Sequence, residues 1–229
     1  YSNTTGSDNS AQGFYALQNN TTGSYNSAQG FYALRNNTTG SYNNAQGYYA
    51  LFSNTTGYNN NAQGYAALYN NTTGSYNSAQ GYLALYNNTT GSYNSAQGAY
   101  AGRYLADGVT ANQTSNNSVF LGANTKSKQA GQTNEIVIGN NAIGNGSNTV
   151  TLGHTDITNT YLRGLVSAPK GVKIGDNTDV ASVLNEFAIR GRKGVRDGNI
   201  GFSVTEMCMQ TDVNVYTWVE IVRNEWIIP

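Results

Sequence analysis

The chain has 229 residues, with 12 basic and 12 acidic side chains and a net charge of zero. Only 10% of its residues are charged, against about 25% in an ordinary soluble domain, so no electrostatic basis exists for a nucleic-acid or anionic-membrane partner. The single cysteine, Cys208, excludes an intrachain disulfide and a cysteine-based metal cluster. The single histidine, His154, excludes a multi-histidine metal site within one chain. No apolar run approaches the ~20 residues of a membrane span. Tyr1 falls in mid-pattern, so we interpret the chain as processed or as a fragment of a longer one.

An internal repeat governs the first hundred residues. The tripeptide Thr-Thr-Gly begins at Thr4, Thr21, Thr38, Thr55, Thr72 and Thr89, always 17 residues apart. Ala-Gln-Gly begins at Ala11, Ala28, Ala45, Ala62, Ala79 and Ala96, with the same period. Self-similarity at a fixed period is typical of stacked architectures, in which each repeat contacts its neighbours.

The length and composition of the repeat indicate whether the stacked units are helical or β-structured. Two packed helices need about 30 residues, and glycine and asparagine are poor helix formers. We therefore predict one turn of a β-solenoid, or β-roll, per repeat. In the first repeats this places a strand from Ala11 to Leu17 and a second short strand over Ser24 to Asn26. The Asn-Asn-Thr-Thr-Gly segment is expected to turn through left-handed backbone conformations.

Stacked turns place identical residues in ladders at a spacing of about 4.8 Å. Asn and Thr ladders would satisfy one another's polar groups, and Tyr rings would stack. The predicted interior consists of Ala, Gly and the five leucines Leu17, Leu34, Leu51, Leu68 and Leu85. A stripe would remain partly exposed at Phe14, Phe31, Tyr48, Tyr65 and Tyr82. Because a long apolar stripe usually marks an interface, the sequence predicts a homotrimer that buries it.

The repeat decays after residue 98, where Gly102 replaces the leucine of earlier copies. Residues 105–117 are predicted to form a looped transition. Four short apolar strands ending in glycine then follow, at Val119–Gly122, Ile136–Gly139, Val150–Gly153 and Tyr161–Gly164. The first two terminal glycines keep the 17-residue interval, so we expect the coil to continue with tighter turns and a drier core of Ile, Val and Leu.

The last third has a different character. One further strand is predicted at Val172–Gly175. Apolar residues then stand at helical spacing from Val180 to Phe187, with Thr178 or Asp179 as the cap. Two strand-like runs, 200–210 and 215–228, form a predicted hairpin. The all-β chain is thus divided into six repeats (1–104), an irregular continuation (105–165) and a C-terminal knob with one short helix (166–229).

The repeats that read Asn-Thr-Thr-Gly-Ser-Tyr-Asn-Ser-Ala-Gln-Gly resemble the β-roll repeats of trimeric autotransporter adhesin heads. They are still more similar to repeats of bacteriophage tail fibres and receptor-binding fibres, notably of phages that infect Bacteroidetes. The segment from Thr133 to Gly153 also looks like the sequence that follows such repeats, so the likeness covers about residues 1–165. The resemblance implies a trimeric, adhesive fibre of the virion, with a rod as spacer and a tip that contacts a host glycan or surface protein. A further virion or fibre protein would adjoin the N-terminal end.

Enzymatic and metal-dependent functions have little support in the sequence. The repeats contain one carboxylate, Asp8, and no spacing singles out an acid pair in the knob, so we expect no catalysis and no cofactor. His154 could bind a metal with its symmetry mates, although a surface or interface histidine is the simpler interpretation. Asp176 and Asp179 could hold Ca²⁺, but they lack the length and ligand number of a known calcium loop and are better explained as a helix cap.

Two groups of residues are candidates for binding. Tyr25, Tyr42, Tyr76 and Tyr93 share one repeat position; this aromatic ladder could stack sugar rings, or it could pack the trimer. In repeat four the tyrosine moves to Tyr58. At the tip, Tyr216, Trp218 and Glu220 alternate on one strand, and Arg192 and Lys193 belong to a basic run. These are predicted receptor contacts, with a core role for the aromatics as the alternative.

Two other functions remain open. The same architecture would serve a bacterial cell-surface trimeric adhesin. Paired threonine columns, beginning at Thr4 and Thr5, also raise the possibility of an ice-binding solenoid.

Overall fold

A computed structural model describes residues 2–158, 207–212 and 215–219. The chain separates into two compact units, Tyr1–Tyr161 and Leu162–Pro229. The described part is all-β and contains no helix. The first unit is a parallel β-solenoid of about eight turns, in which nine strands pair in the order of the sequence. The predicted β-solenoid is therefore confirmed.

Each repeat contributes one short strand, and the register between repeats is constant. The strands of the solenoid are β1 Ser10–Gln12, β2 Ser27–Gln29, β3 Asn44–Gln46, β4 Asn61–Gln63, β5 Ser78–Gln80, β6 Ser95–Gln97, β7 Val119–Leu121, β8 Glu135–Ile138 and β9 Thr149–Leu152. Alanine pairs with alanine and glutamine with glutamine from β1 to β6. Identical residues consequently stack along the axis, as the 17-residue period predicts.

The strands are shorter than predicted, and the turns lie elsewhere. The expected strand from Ala11 to Leu17 ends at Gln12, because Gly13 has a φ of 135° and turns the chain. The expected strand over Ser24–Asn26 does not form, since Tyr25 adopts a φ of 59°. Left-handed backbone thus occurs at Tyr and Leu columns such as Tyr15, Leu17 and Tyr25 rather than in Asn-Asn-Thr-Thr-Gly. Backbone hydrogen bonds to the adjacent turn, such as Leu17 N–H to Ala33 O at 3.1 Å, hold these strained residues in place.

The apolar half of the core consists of alanine and leucine columns, as predicted. The alanines at the centre of β2 to β6, the second alanine column from Ala16 to Ala101 and the leucines from Leu17 to Leu85 are buried. Small side chains allow the walls of the coil to approach closely. The interior is therefore filled without a large aromatic residue until Phe120 in β7.

The polar half of the core consists of two buried asparagine columns. One column contains Asn20, Asn37, Asn54, Asn71 and Asn88; the other contains Asn26, Asn43, Asn60, Asn77 and Asn94. The Asn37 amide donates to Asn20 Oδ1 at 2.7 Å and to Gly40 O at 2.8 Å. Asn26 donates to the same Gly40 oxygen at 2.9 Å. Each glycine carbonyl of this kind therefore receives two amide donors, which satisfies groups that would be costly to bury alone.

The last turns continue the coil, but their core is not drier. Strand β7 pairs with β6 after an excursion between Arg103 and Asn112, and β8 and β9 follow in register. Phe120 and Val137 are buried, yet Val150 and Leu152 are more than half exposed. The interior instead gains polar groups, including Ser118, Ser127 and Glu135. The expectation of an Ile, Val and Leu core is wrong because alternate residues of these strands point outward.

The second unit contains an antiparallel pair, β10 Met207–Asp212 and β11 Val215–Val219, with an irregularity between Gln210 and Asp212. These strands lie at the predicted hairpin, although β10 extends two residues further than expected. The predicted strands at 161–164 and 172–175 and the helix from Val180 to Phe187 lie outside the described residues.

Candidate functional site

The surface of the repeats carries two exposed aromatic columns, which we call strip one and strip two. Strip one contains Phe14, Phe31, Tyr48, Tyr65 and Tyr82. Strip two contains Tyr25, Tyr42, Tyr58, Tyr76 and Tyr93. Exposed fractions reach 56% at Phe14 and 58% at Tyr93. The predicted exposed stripe is confirmed, and a second one lies beside it.

Strip one is a continuous stack of rings. Successive ring centroids are 4.9–5.3 Å apart, with interplanar angles of 3–22°. Its rings also meet the neighbouring column edge-on, as in Phe31 against Tyr32 at 4.1 Å. Offset-stacked and edge-to-face contacts of this kind add to the stability gained by burial.

Beside strip one, further aromatic rings form two shorter stacks, which occupy different repeat positions in different parts of the rod. Tyr15, Tyr32 and Tyr49 stack in repeats one to three, and Phe52, Tyr69 and Tyr86 stack in repeats three to five. Two arginines stand at the ends of this arrangement. Arg35 lies 4.6 Å from the Tyr32 ring centroid, and Arg103 lies 4.8 Å from that of Tyr86. These cation–π contacts were not foreseen from the sequence, since a lone arginine in a neutral repeat gives no spacing signal.

Strip two is interrupted at repeat four. Tyr25 stacks on Tyr42 at 4.9 Å, and Tyr76 stacks on Tyr93 at 4.7 Å. Asn59 occupies the column position between these pairs, and Tyr58 contacts Tyr76 edge-on at 5.2 Å. Tyr25, Tyr42, Tyr76 and Tyr93 thus share one column, from which the tyrosine of repeat four is displaced; the role of this ladder in binding stays a prediction. Within each stacked pair the ring faces cover one another, so the column presents edges and hydroxyls, with free faces only at its breaks.

Three tyrosines of the repeats have a raised pKa. Burial raises the pKa of Tyr48, with further contributions from a hydrogen bond and the charge of Tyr49. The neighbouring Tyr76 phenol raises the pKa of Tyr58, followed by loss of hydration. Burial also raises the pKa of Tyr69, and Tyr86 adds to it. In each case a phenolate would have to form in a row of close neighbours that can carry the same charge.

Between the two strips lies the outer face of the strands. Its columns are Ser or Asn at the first strand residue and Gln at the third, and most of these side chains are exposed. The Gln29 amide donates to Gln12 Oε1 at 3.1 Å, which forms part of an exposed glutamine ladder. The face is polar and uncharged, and it is flanked along its length by aromatic rings.

The threonine columns differ from each other. In all six repeats the first hydroxyl, as in Thr21 to Thr38 O at 2.9 Å, donates to a main-chain carbonyl of the next turn. The second threonine of each pair is exposed. One of the two adjacent columns is therefore committed to the backbone, and the geometry gives no specific support for a paired ice-binding surface.

The other predicted site residues are not brought together. His154 Nδ1 lies 3.1 Å from Asp156 Oδ2, a partly exposed pair at the margin of a shallow cavity of about 370 Å³. Among the described residues, no group of three or more His, Cys, Asp or Glu side chains could hold a metal ion. Tyr216 and Trp218 occupy alternate positions of β11, opposite Gln210 and Cys208. Glu220, Arg192, Lys193, Asp176 and Asp179 lie outside the described residues.

A buried carboxylate was missed by sequence reasoning. Glu135 is fully buried; it accepts hydrogen bonds from Ser127 Oγ at 2.6 Å, from Gly146 N at 2.8 Å and from Lys128 N at 3.2 Å. The strand register places Glu135 in the column that holds Ser118 one turn earlier and Asn94 two turns earlier. It is a polar core residue that completes this column, and its three donors leave it no free acceptor directed to solvent.

The fold and this surface define the class: the chain is a β-solenoid repeat protein with side-chain ladders. Comparison with known protein families, curated proteins and solved structures finds no match. No helix of the described residues is long and apolar enough to cross a membrane.

Proposed function

We propose that this chain is a non-enzymatic, structural and adhesive part of a bacteriophage fibre. The solenoid acts as a stiff spacer in the virion, and the C-terminal unit contacts a glycan or protein on the host cell. Three copies associate, and an upstream fibre or virion protein adjoins the N-terminal end. The repeat sequence resembles fibre repeats, and that resemblance directs the proposal to phages.

The observation that carries the proposal is the unbroken register of nine parallel strands with stacked side chains. Every turn is bonded to the next through backbone, asparagine and threonine contacts, such as Thr38 Oγ1 to Thr55 O at 3.0 Å. A structure held by neighbour-to-neighbour bonds along one axis resists bending and can be lengthened by adding repeats. Such a rod suits a spacer, and its exposed strips suit association of several rods.

The trimer is tested first by light scattering of the full chain. We expect a particle of three times 24.5 kDa. A stable monomer at micromolar concentration would contradict the trimer and, with it, the proposed fibre.

Adhesion is tested with labelled full-length protein on a panel of bacterial strains. The double variants Tyr216→Ala/Trp218→Ala and Arg192→Ala/Lys193→Ala should reduce cell binding at least tenfold if the tip makes the contact. A matched rod control, Thr56→Ala, changes an exposed side chain outside both strips and the strand face and should leave binding unchanged. Unchanged binding by both tip variants, with circular dichroism equal to wild type, would remove the tip from the proposal.

Location is tested by immunogold electron microscopy with antibodies against the rod. Labelling of phage particles is the expected result. Labelling of intact bacterial surfaces without phage would favour the cell-surface adhesin instead.

A further inference from the structure

Each chain carries two aromatic strips rather than one, and they flank the same strands. In repeat three, Tyr42 of strip two lies two residues before β3, and Tyr48 of strip one lies two residues after it. Every ring contact of strip one is made with strip one itself or with the column next to it, and those of strip two are made within strip two. Among the described residues, no ring pair joins the two strips. They are two separate exposed surfaces.

Both strips share the same pitch and lack charge. Ring centroids repeat at 4.9–5.3 Å in strip one and at 4.7–4.9 Å within the stacked pairs of strip two. The only charged residue at either column position in the six repeats is Asp8, in the first. Two uncharged aromatic columns of equal pitch can pack against each other over many turns without a buried charge.

A threefold ring of identical chains requires two different contact surfaces on each chain, because its interfaces are heterologous. We propose that strip one of one copy packs against strip two of the next copy, around a threefold axis parallel to the rods. The polar face with its Ser or Asn and Gln columns then faces the axis. This inference rests on the proposed trimer and specifies its contact, which a single stripe at the axis would leave undetermined.

The geometry of three rods favours two neighbouring strips. Each rod touches two others that both lie on its inner side, so its two contact surfaces must be close together. One three-residue strand, about 10 Å long, separates the strips here. Because a pure rotation adds no shift along the axis, residues of the same repeat in different copies meet at the same height. Strip two at Tyr42 should therefore meet strip one near Tyr48.

Repeat four departs from the pattern on both sides at once. Tyr58 lies where the other repeats have serine, and Asn59 lies at the tyrosine position, so the ring of strip two is displaced by one residue. Ala66 replaces the tyrosine beside strip one and removes a ring there. Ala66 itself is covered by its neighbours, so the change removes a ring from the flank of strip one. Copies at equal height would bring the displaced ring of one chain to the flank of strip one that lacks a ring in the next copy. Such a feature would fix the axial register.

Site-directed cross-linking of the full chain tests the contact. In a Cys208→Ser background, Tyr42→Cys and Tyr48→Cys are made singly and together, and each protein is treated with a short bis-maleimide. We expect the double variant to give a covalent trimer on denaturing gels, and each single variant to remain a monomer. Co-expression of the two single variants should give a covalent heterodimer.

Three results would overturn the inference or its basis, and they are distinguishable. Covalent dimers from Tyr48→Cys alone would show that strip one meets itself at the axis. A trimeric mass without cross-links in any variant would exclude the strip-to-strip contact but keep the trimer. A monomeric mass would contradict the proposed trimer itself. If Tyr42→Cys fails to fold, Tyr58→Cys with Tyr65→Cys supplies a second pair, since serine is the usual residue at position 58.

Discussion

The regular repeats and the last turns of the solenoid fill the same coil in different ways. In repeat five the core holds Ala79 in the strand and Leu85 in the turn, both buried. At the end of repeat six the turn has Gly102, and the next strand brings Phe120 into the alanine column. A Cβ at Gly102 would lie 2.8 Å from a Phe120 ring carbon and 2.9 Å from Leu85. The core therefore conserves volume from turn to turn, not residue identity.

The buried polar column also changes its residues where the repeats end, and its hydrogen bonds change with them. Within the repeats each asparagine both donates to and accepts from its own column, so identical residues satisfy one another. Where the repeat ends, Ser118 and then Glu135 take the position, and Glu135 reaches donors of a different loop. A ladder can be extended indefinitely, whereas its end requires a residue specific to that place.

Substitution of the core pair Phe120 and Gly102 should have the largest effect on stability. Phe120→Ala leaves a cavity and should lower the free energy of unfolding by about 4 kcal/mol. Gly102→Leu, which restores the leucine of the repeats, should cost about 2 kcal/mol through overpacking and its left-handed backbone. The double variant recreates the pairing of a turn leucine with the alanine of the following strand, as in Leu85 and Ala96, and should lose less than the sum. Urea denaturation measures all three, and strict additivity would contradict the volume argument.

The asparagine column should show the next largest effect. Asn71→Ala removes bonds to Asn54 Oδ1 and Gly74 O and the acceptor used by Asn88, so we expect a loss of about 3 kcal/mol. Asn70→Ala is the matched control, because its half-buried side chain makes no such ladder bonds. Thermal denaturation compares the two. Equal losses of stability would show that Asn71 in the buried column contributes no more than the half-buried Asn70 beside it.

The role of Glu135 at the end of the polar column can be tested by replacing it with asparagine, the residue that the repeats have at this position. Glu135→Asn shortens the side chain, so the Gly146 and Lys128 amides lose their acceptor and stability should fall by about 2 kcal/mol. Glu135→Gln keeps the length and should lose less. Hydrogen exchange at Gly146 and Lys128 reports the two amides directly, and unchanged protection in Glu135→Asn would exclude this role.

The smallest effect is expected from alkaline pH, and it should separate the aromatic repeats from the last turns. The folded chain raises the pKa of Tyr48, Tyr58 and Tyr69 above their ordinary value of 10.0. The unfolded chain then loses protons before the folded one, so stability is full below pH 10 and falls as pH rises through the folded pKa values. Ultraviolet titration should show delayed tyrosine ionisation in the folded protein, and Phe52→Leu/Tyr69→Leu should reduce the delay.

The sequence alone determined the repeat, its period and the stacked parallel turns, because identical 17-residue units adopt the same turn and equivalent residues then stack on one another. It also determined the exposed column at Phe14 and the ladder at Tyr25, since these follow from the period without further geometry. The positions of the turns depend on the folded coil: Leu17, Tyr25 and Tyr32 adopt left-handed backbone because hydrogen bonds to adjacent turns outweigh their local preference. The burial of Glu135 and the fit of the Phe120 ring beside Gly102 also follow only from the folded structure, because both depend on contacts between turns whose sequences are no longer alike.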